Sequence, residues 1–576
     1  MLFRLLAAMC CSCLCCSANF TPTWESLDAR CNPSWFDEGK VGIFVHWGLY
    51  SVPALGSEWF WKCLKAGSEG VRDFMEKNFK PGFSYGDFAP HFTAELFDPV
   101  EWAELFAEAG AKYVVLTAKH HDGFTLWPSA LAFQWNAKAL GPHRDLVGEF
   151  FAAARNRTAL RLGIYYSLME WFHPLYQIDK VSNFSTSIFV KMKTMPELRE
   201  LVEVYTPDVI WADGEWEAPG EYWDSLNFLA WLFNESPVAK SVLVNDRWGK
   251  ESICRHGSYL TCKDRYNPKT LQCRKWENAM TLDRNSWGFR RNANLDDYLT
   301  TKELIQTLIE TVAYGGNILI NVGPTHDGRI LPIFQERLRD LGRWLSVNGD
   351  AIYCTTPWKH SQNDSLTPNV WYTSRGDALY ALALDWPLDG RLTLGSILKP
   401  KTVTVLGHGK QLLFRKGYAN DLIIELPSFH LLPAAAAHAF VLRLTFEDPR
   451  PPCPHNATCR YFYYPQGEIP REWEVTRDVS CECSFIEGSG ERGILQKVIH
   501  AVVETCWNKH TSGDLHLYRK LPGIYLRSCN VRTKVFMEAK VRRKVQDVVY
   551  TKGRQKVKFF LVLDTGHARG AVTAEM

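Results

Sequence analysis

Trp211-Ala212-Asp213-Gly214-Glu215 sets a carboxylate at the end of the apolar run Asp208-Val209-Ile210, which reads as a short buried strand. Ahead of it Leu198, Leu201, Val202 and Tyr205 fall at helical spacing, so the local order is helix, strand, carboxylate. In a parallel α/β barrel the carboxyl ends of the strands carry the chemistry, so Asp213 would enter a mouth rather than a core. Asp-Gly is also an ordinary turn signal, and the chemical reading therefore depends on what stands at other strand ends.

His46-Trp47-Gly48, Lys119-His120-His121-Asp122-Gly123, Tyr165-Tyr166 and Asn245-Asp246-Arg247 each close a strand-like run, and Lys275-Trp276-Glu277 follows a cysteine-containing loop. A lone His at a strand end is usually structural, but strand ends bearing His, Tyr, Trp, Asp, Arg and Glu together resist explanation as packing. Adjacent His120 and His121 would point to opposite faces of a strand and could not share one ion. The sequence has no His-Glu-x-x-His pattern, and no Gly-x-Ser-x-Gly elbow follows a strand. Paired carboxylates among aromatics and hydrogen-bonding groups remain, the requirement of glycoside hydrolysis. One carboxylate stays ionised and attacks the anomeric carbon, while the other, with its pKa raised, protonates the leaving oxygen. Asp213 closes the apolar run and Gly214 allows close approach, whereas Glu215 and Glu217 stand further out. Glu277 is the best-placed partner, and an acidic optimum follows if it stays protonated while Asp213 is ionised.

These residues need a scaffold, and between residues 42 and 349 strand-like and amphipathic helical runs alternate. Strands are expected at Val41–Trp47, Tyr113–Ala118, Leu160–Ser167, Val209–Ala212, Ser241–Asn245 and Asn317–Val322, and helices at Pro99–Ala109, Asp145–Ala154, Pro196–Tyr205, Tyr222–Phe233, Thr301–Tyr314 and Ile333–Val347. Such alternation implies parallel strands joined by right-handed crossovers. The count favours a (β/α)8-like barrel over 19–352, and no Gly-rich phosphate loop argues for a dinucleotide fold. Short alternating runs after Ile352 predict a β-sandwich over 353–446. The Pro-rich Asp448-Pro449-Arg450-Pro451-Pro452 opens a third segment, 447–576.

Four motifs in order, Gly42-Ile43-Phe44-Val45-His46-Trp47-Gly48, Lys119-His120-His121-Asp122-Gly123-Phe124, Trp211-Ala212-Asp213-Gly214 and Asn245-Asp246-Arg247-Trp248, closely resemble the retaining α-L-fucosidases, over a stretch from about Asn19 to about Leu444. The resemblance implies Asp213 as nucleophile and Glu277, in its Lys-Trp-Glu context ahead of Ser286-Trp287-Gly288-Phe289-Arg290-Arg291, as acid/base. It implies sugar contacts at His46, Glu58, Trp59, His120, His121, Tyr166, Trp211 and Arg247, no metal or organic cofactor, and a multimer. The implied activity is exo-acting release of terminal α-L-fucose from glycoproteins, glycolipids and oligosaccharides. A secreted fucose-binding protein that has lost turnover, with the tail as its interaction module, is the alternative. Trp61-Lys62-Cys63-Leu64-Lys65 departs from the aromatic-rich stretch the family carries after Glu58-Trp59, which bears on how aglycones are gripped.

The whole chain bounds these readings. At 576 residues it exceeds one compact core, and a net charge of +3 offers no argument for a nucleic-acid partner. Residues 1–18 have a signal-peptide layout, with Arg4, the apolar Leu5–Leu14 region and Ser17-Ala18, and no run of about 20 apolar residues could span a bilayer. A lysosomal or secreted protein is expected, with paired cysteines and with glycan acceptors at Asn156, Asn183, Asn363, Asn456 and, weakened by Pro237, Asn234. Cys254, Cys262 and Cys273 suggest a local staple rather than a zinc site. In the tail, Cys453, Cys459, Cys481, Cys483, Cys506 and Cys529 read as a separate disulfide module, followed by the basic run Lys540-Val541-Arg542-Arg543-Lys544.

Overall fold

The computed structural model describes residues 19–446, apart from 396, 398, 399 and 418–420, and the backbone of six strands between 483 and 575. The expected leader, the side chains of the tail cysteines and the basic run lie outside the described residues. Seven parallel strands form the first sheet: β1 (Val41–Val45), β2 (Tyr113–Lys119), β3 (Arg161–Ser167), β4 (Val209–Asp213), β5 (Leu243–Val244), β6 (Glu277–Thr281) and β7 (Asn317–Val322). Their order, β5-β4-β3-β2-β1-β7-β6, leaves a gap between β5 and β6. Residues 258–261 fill it: Ser258 N donates to Val244 O at 3.0 Å on one side, and Glu277 N donates to Leu260 O at 2.8 Å on the other. An irregular segment thus serves as the eighth stave, and β6, absent from the expected strands, completes the (β/α)8-like barrel.

Side chains alternate across the staves. Phe44, Tyr113, Val115, Tyr165, Val209, Trp211, Leu243, Ala279 and Leu319 pack as one inner cluster, while Ile43, Val45, Val114, Leu116, Ile164, Tyr166, Ile210 and Ile320 join the outer cluster beneath the helices. Gly42 faces inward, where a Cβ would stand 2.4 Å from the Tyr113 ring, so its bare backbone lets that ring lie across the floor of the barrel. The covering helices start where their caps dictate. Asp98 accepts from Val100 N and Glu101 N ahead of Pro99–Glu108, and Thr300 with Glu303 forms a capping box on Thr301–Ala313.

A sandwich follows, in which strands Thr402–Val405, Phe440–Thr445, Ala378–Ala383, Val370–Arg375 and Thr356–Pro357 form one antiparallel sheet and Arg391–Leu394, Leu422–Glu425 and Phe414–Lys416 the other. Val370, Leu379, Leu392, Val403, Ile424 and Leu442 fill its core. The opposite face of the larger sheet, through Trp371, Tyr380, Leu382 and Val441, belongs to the barrel's outer cluster, and Trp344 Nε1 donates to Ala439 O. The strands beyond residue 465 form a separate unit, a six-stranded antiparallel sheet. Of the cysteines expected to pair, Cys254 and Cys262 form a disulfide, whereas Cys63, Cys273 and Cys354 are free thiols. Among the described residues no helix is long and apolar enough to cross a membrane.

One charged cluster is sealed between barrel and helices. Lys119 Nζ, at the end of β2, lies 2.9 Å from Glu170 Oε1 and 3.3 Å from Glu197 Oε2, and Lys193 Nζ lies 2.9 Å from Glu197 Oε1. Lys119→Met would leave two buried carboxylates short of a cation, and denaturant unfolding should show a loss of about 3–5 kcal/mol.

Candidate functional site

Asp213 stands at the carboxyl end of β4, 8 % exposed, and its two oxygens are held from different sides. Tyr165 OH donates to Oδ2 at 2.6 Å, and Arg247 Nη1 donates to Oδ1 at 2.9 Å. Burial works to raise its pKa, but the Arg247 guanidinium and the two hydrogen bonds outweigh it and hold the carboxyl below the usual range. Gly214 turns away at φ 80°, where a Cβ would crowd Met169 and Ser167.

Arg247 is delivered by a motif whose three side chains each do a separate job. The Asn245 amide pairs with both Ala212 N (3.1 Å) and Ala212 O (2.8 Å), tying the end of β5 to β4. Asp246 gathers the disulfide loop, accepting from Cys254 N (2.7 Å), Cys262 N (3.0 Å) and Thr261 Oγ1 (2.6 Å). Arg247 then donates through Nε to Thr261 Oγ1, through Nη1 to Asp213 and through Nη2 to Asp264 Oδ1 at 2.8 Å. Asp213 and Asp264 therefore share one guanidinium, and the Asp264 side chain is 47 % exposed.

Three imidazoles line the same mouth. Asn321 Nδ2 donates to Thr281 Oγ1 and Trp287 O, so its Oδ1 is left to accept from His46 Nδ1 at 2.7 Å, and His46 Nε2 becomes an acceptor. Ser167 Oγ donates to Met169 O and accepts from His121 Nδ1 at 2.6 Å, which directs the bare Nε2 of His121 towards Asp213 Oδ2, 3.5 Å away. Burial pushes both imidazoles down to about 4 and His120 well below its ordinary value, so all three are neutral near pH 7. His120 stacks on Tyr165 with its buried Nδ1 unpartnered. Neutral rings with acceptor nitrogens suit hydroxyl groups rather than an anion.

Glu58 Oε2 accepts from Ser286 Oγ (3.2 Å), Trp287 N (3.0 Å) and Gly288 N (3.1 Å), fixing the loop after β6. Trp59 lies against His121, Trp171 and Trp216, the last 39 % exposed at the rim, and Lys62 Nζ sits 4.7 Å above the Trp59 ring. The departure at Trp61-Lys62-Cys63 thus puts a cation beside the aromatic rim. Glu215 is 2 % exposed with Oε2 unpartnered, and burial together with Asp213, opposed by Arg247, raises it to about 8. Glu217 is taken up by Tyr176 and Lys180.

Three sequence expectations change. Tyr166 points outward: its hydroxyl donates to Glu197 Oε2 and accepts from Lys119 Nζ, and the neighbouring Tyr165 faces Asp213 instead. Glu277 is the first residue of β6, fully enclosed at the amino-terminal floor of the barrel, with Oε1 accepting from Trp211 Nε1 at 3.0 Å and Oε2 from Tyr113 OH at 2.6 Å. Burial raises it to about 7, but a carboxyl at the floor cannot reach a leaving group at the mouth. Trp211, 2 % exposed, lies one inner layer below Asp213, under the Arg247 guanidinium at 4.7 Å, and is not an open platform. Sequence reading missed Asp264, which no local pattern marks, and Tyr165, whose inward face is set by the register of β3 against β4.

Comparison with known proteins accounts for this arrangement. The α-L-fucosidase family profile matches residues 9–350, and that of the α-L-fucosidase C-terminal domain matches residues 362–445. The human tissue α-L-fucosidase is 52 % identical over 429 residues, 74 % of this chain and 92 % of that protein. The human plasma α-L-fucosidase is 52 % identical over 434 residues, 74 % of this chain and 93 % of that protein. The crystal structure of the Thermotoga maritima α-fucosidase with a mechanism-based inhibitor aligns at a TM-score of 0.65 and 34 % identity, covering 74 % of this chain and all of that one. The chain belongs to the α-L-fucosidase family of glycoside hydrolases.

Proposed function

We propose that this enzyme is an exo-acting, retaining α-L-fucosidase that releases terminal α-L-fucose from glycoproteins, glycolipids and oligosaccharides by double displacement. The observation that carries the reading is the single guanidinium shared by Asp213 and Asp264. Such a bridge suits two carboxyl groups at the separation of about 5–5.5 Å that retention requires. Asp213, kept ionised by Arg247 and Tyr165, attacks the anomeric carbon and forms the glycosyl-enzyme bond as the aglycone oxygen leaves.

Asp264 gives that oxygen its proton and then takes one from the water that cleaves the intermediate. Both partners of this group, leaving oxygen and water, come from the solvent side. Asp264 is half-exposed there, whereas Glu215 is enclosed and Glu58 accepts three hydrogen bonds from its loop. His46, His120 and His121 take the ring hydroxyls. Glu58 and Arg247 complete the polar contacts, and Trp59 with Trp216 faces the aglycone side. A leader of residues 1–18 sends the chain to the lysosome or out of the cell, a route in keeping with its tissue and plasma relatives.

Asp213→Gly should abolish turnover of an aryl α-L-fucoside, and added azide should restore it as β-fucosyl azide; a fucose-binding protein without turnover would hydrolyse no fucoside even as wild type. Asp264→Asn should slow fucosides with poor leaving groups by roughly 10²–10⁴-fold, spare activated ones, and yield α-fucosyl azide with azide. The same pattern in Glu215→Gln instead would move the role to Glu215. Because the Asp213 pKa is depressed, it stays ionised down to a pH below the usual carboxylate range. In Arg247→Met burial would dominate, and the acid limb of kcat/KM should move up by about one to three pH units.

A further inference from the structure

Glu277 has no route to the mouth, yet it keeps a carboxyl in the driest part of the barrel. It is 0 % exposed, at the start of β6, among Phe44, Tyr113, Trp211 and Ala279 of the inner cluster. A buried carboxyl is costly unless its oxygens are hydrogen-bonded, and an apolar side chain of similar size would pack there without that cost. The two donors it takes show what it contributes, since Tyr113 OH binds one oxygen and Trp211 Nε1 the other. An indole has one donor, so anchoring Nε1 selects a single orientation of the ring.

That ring is the base on which both ligands of Asp213 rest. Tyr165 stacks on Trp211 with centroids 5.8 Å apart and 22° between planes, and the Arg247 guanidinium carbon lies 4.7 Å over the indole. Phe44 closes a further side at 5.1 Å. Tyr165 and Arg247 are the two donors to Asp213, which sits two residues beyond Trp211 and hence on the same face of β4.

We propose that Glu277 is a positioning residue for the nucleophile: from the floor of the barrel it clamps the Trp211 indole, which sets the Tyr165 hydroxyl and the Arg247 guanidinium that hold Asp213. The inference rests on the fucosidase reading and assigns Glu277 no contact with substrate. It explains why a carboxyl is kept far from the leaving group. The need is for an acceptor oxygen opposite Trp211 Nε1, not for a transferable proton.

The experiment compares Glu277→Gln, Glu277→Leu, Trp211→Phe and the Glu277→Leu/Trp211→Phe double variant on two α-L-fucosides, one with a nitrophenol and one with a simple alcohol as leaving group. Wild-type turnover tests the fucosidase reading by itself; the ratios among variants test the inference. Glu277→Gln keeps an oxygen for Trp211 Nε1 and a polar partner for Tyr113, and should stay within about fivefold of wild type on both substrates. Glu277→Leu should lower kcat on both by the same factor, roughly 10–100-fold, raise the acid limb of kcat/KM, and gain nothing from azide. Trp211→Phe should behave alike, and the double variant should be no worse than the more affected single. If Glu277→Leu fails to fold, Glu277→Gln and Trp211→Phe still decide. The proposal is overturned if Glu277→Gln is selectively slow on the alcohol leaving group with azide rescue, the signature of a proton donor, or if Trp211→Phe leaves kcat and the acid limb unchanged.

Discussion

A carboxylate that must stay charged while nearly shielded from water is the constraint around which this barrel is arranged. Burial alone would favour the protonated form of Asp213. The Arg247 guanidinium and the Tyr165 hydroxyl reverse that balance, one by charge and one by hydrogen bonding. Holding Arg247 in turn requires the turn after β5 to be rigid. Asn245 achieves this by pairing with both backbone groups of Ala212, and Asp246 by drawing the Cys254–Cys262 loop onto itself. The same loop carries Asp264 to the other end of the guanidinium.

Around that ion pair the imidazoles of the mouth are uncharged. Three histidines are neutral because burial makes imidazolium costly, and His46 and His121 spend their protonated nitrogens on Asn321 and Ser167. A cluster of imidazolium groups would have competed with Arg247 for Asp213. A second charged network lies outside the barrel wall, where Lys119, Lys193, Glu170 and Glu197 neutralise one another behind β2 and β3. The strand alternation that turns Lys119 and Tyr166 outward also turns Tyr165 inward, so the wall separates this charged network from the mouth.

The second domain contributes by packing. One face of its larger sheet fills its own core, and the other covers the barrel's last helices through Trp371, Tyr380 and Val441, with Trp344 hydrogen-bonded across to Ala439. Those helices flank β7, whose Asn321 orients His46, so the sandwich stiffens one wall of the mouth from behind.

The barrel and sandwich were legible in the sequence because burial leaves a periodic trace, helical in Pro99–Glu108 or Thr301–Ala313 and alternating in Val370–Arg375. Asp213, Arg247 and the histidines were legible because they end such runs, where polar residues are out of place in a core. The choice between Tyr165 and Tyr166 was not, since a strand buried on both faces is apolar on both and loses its parity signal. Nor were the positions of Glu277 and Asp264. Glu277 opens a strand whose start depends on the irregular stave at residues 258–261, and Asp264 reaches the mouth only through a disulfide loop folded onto Asp246. Sequence by itself determined which elements form and which residue types meet the mouth. Tertiary structure alone decided which carboxyls share a guanidinium and which is sealed in the floor, because those distances are set by register and loop closure between segments far apart in the chain.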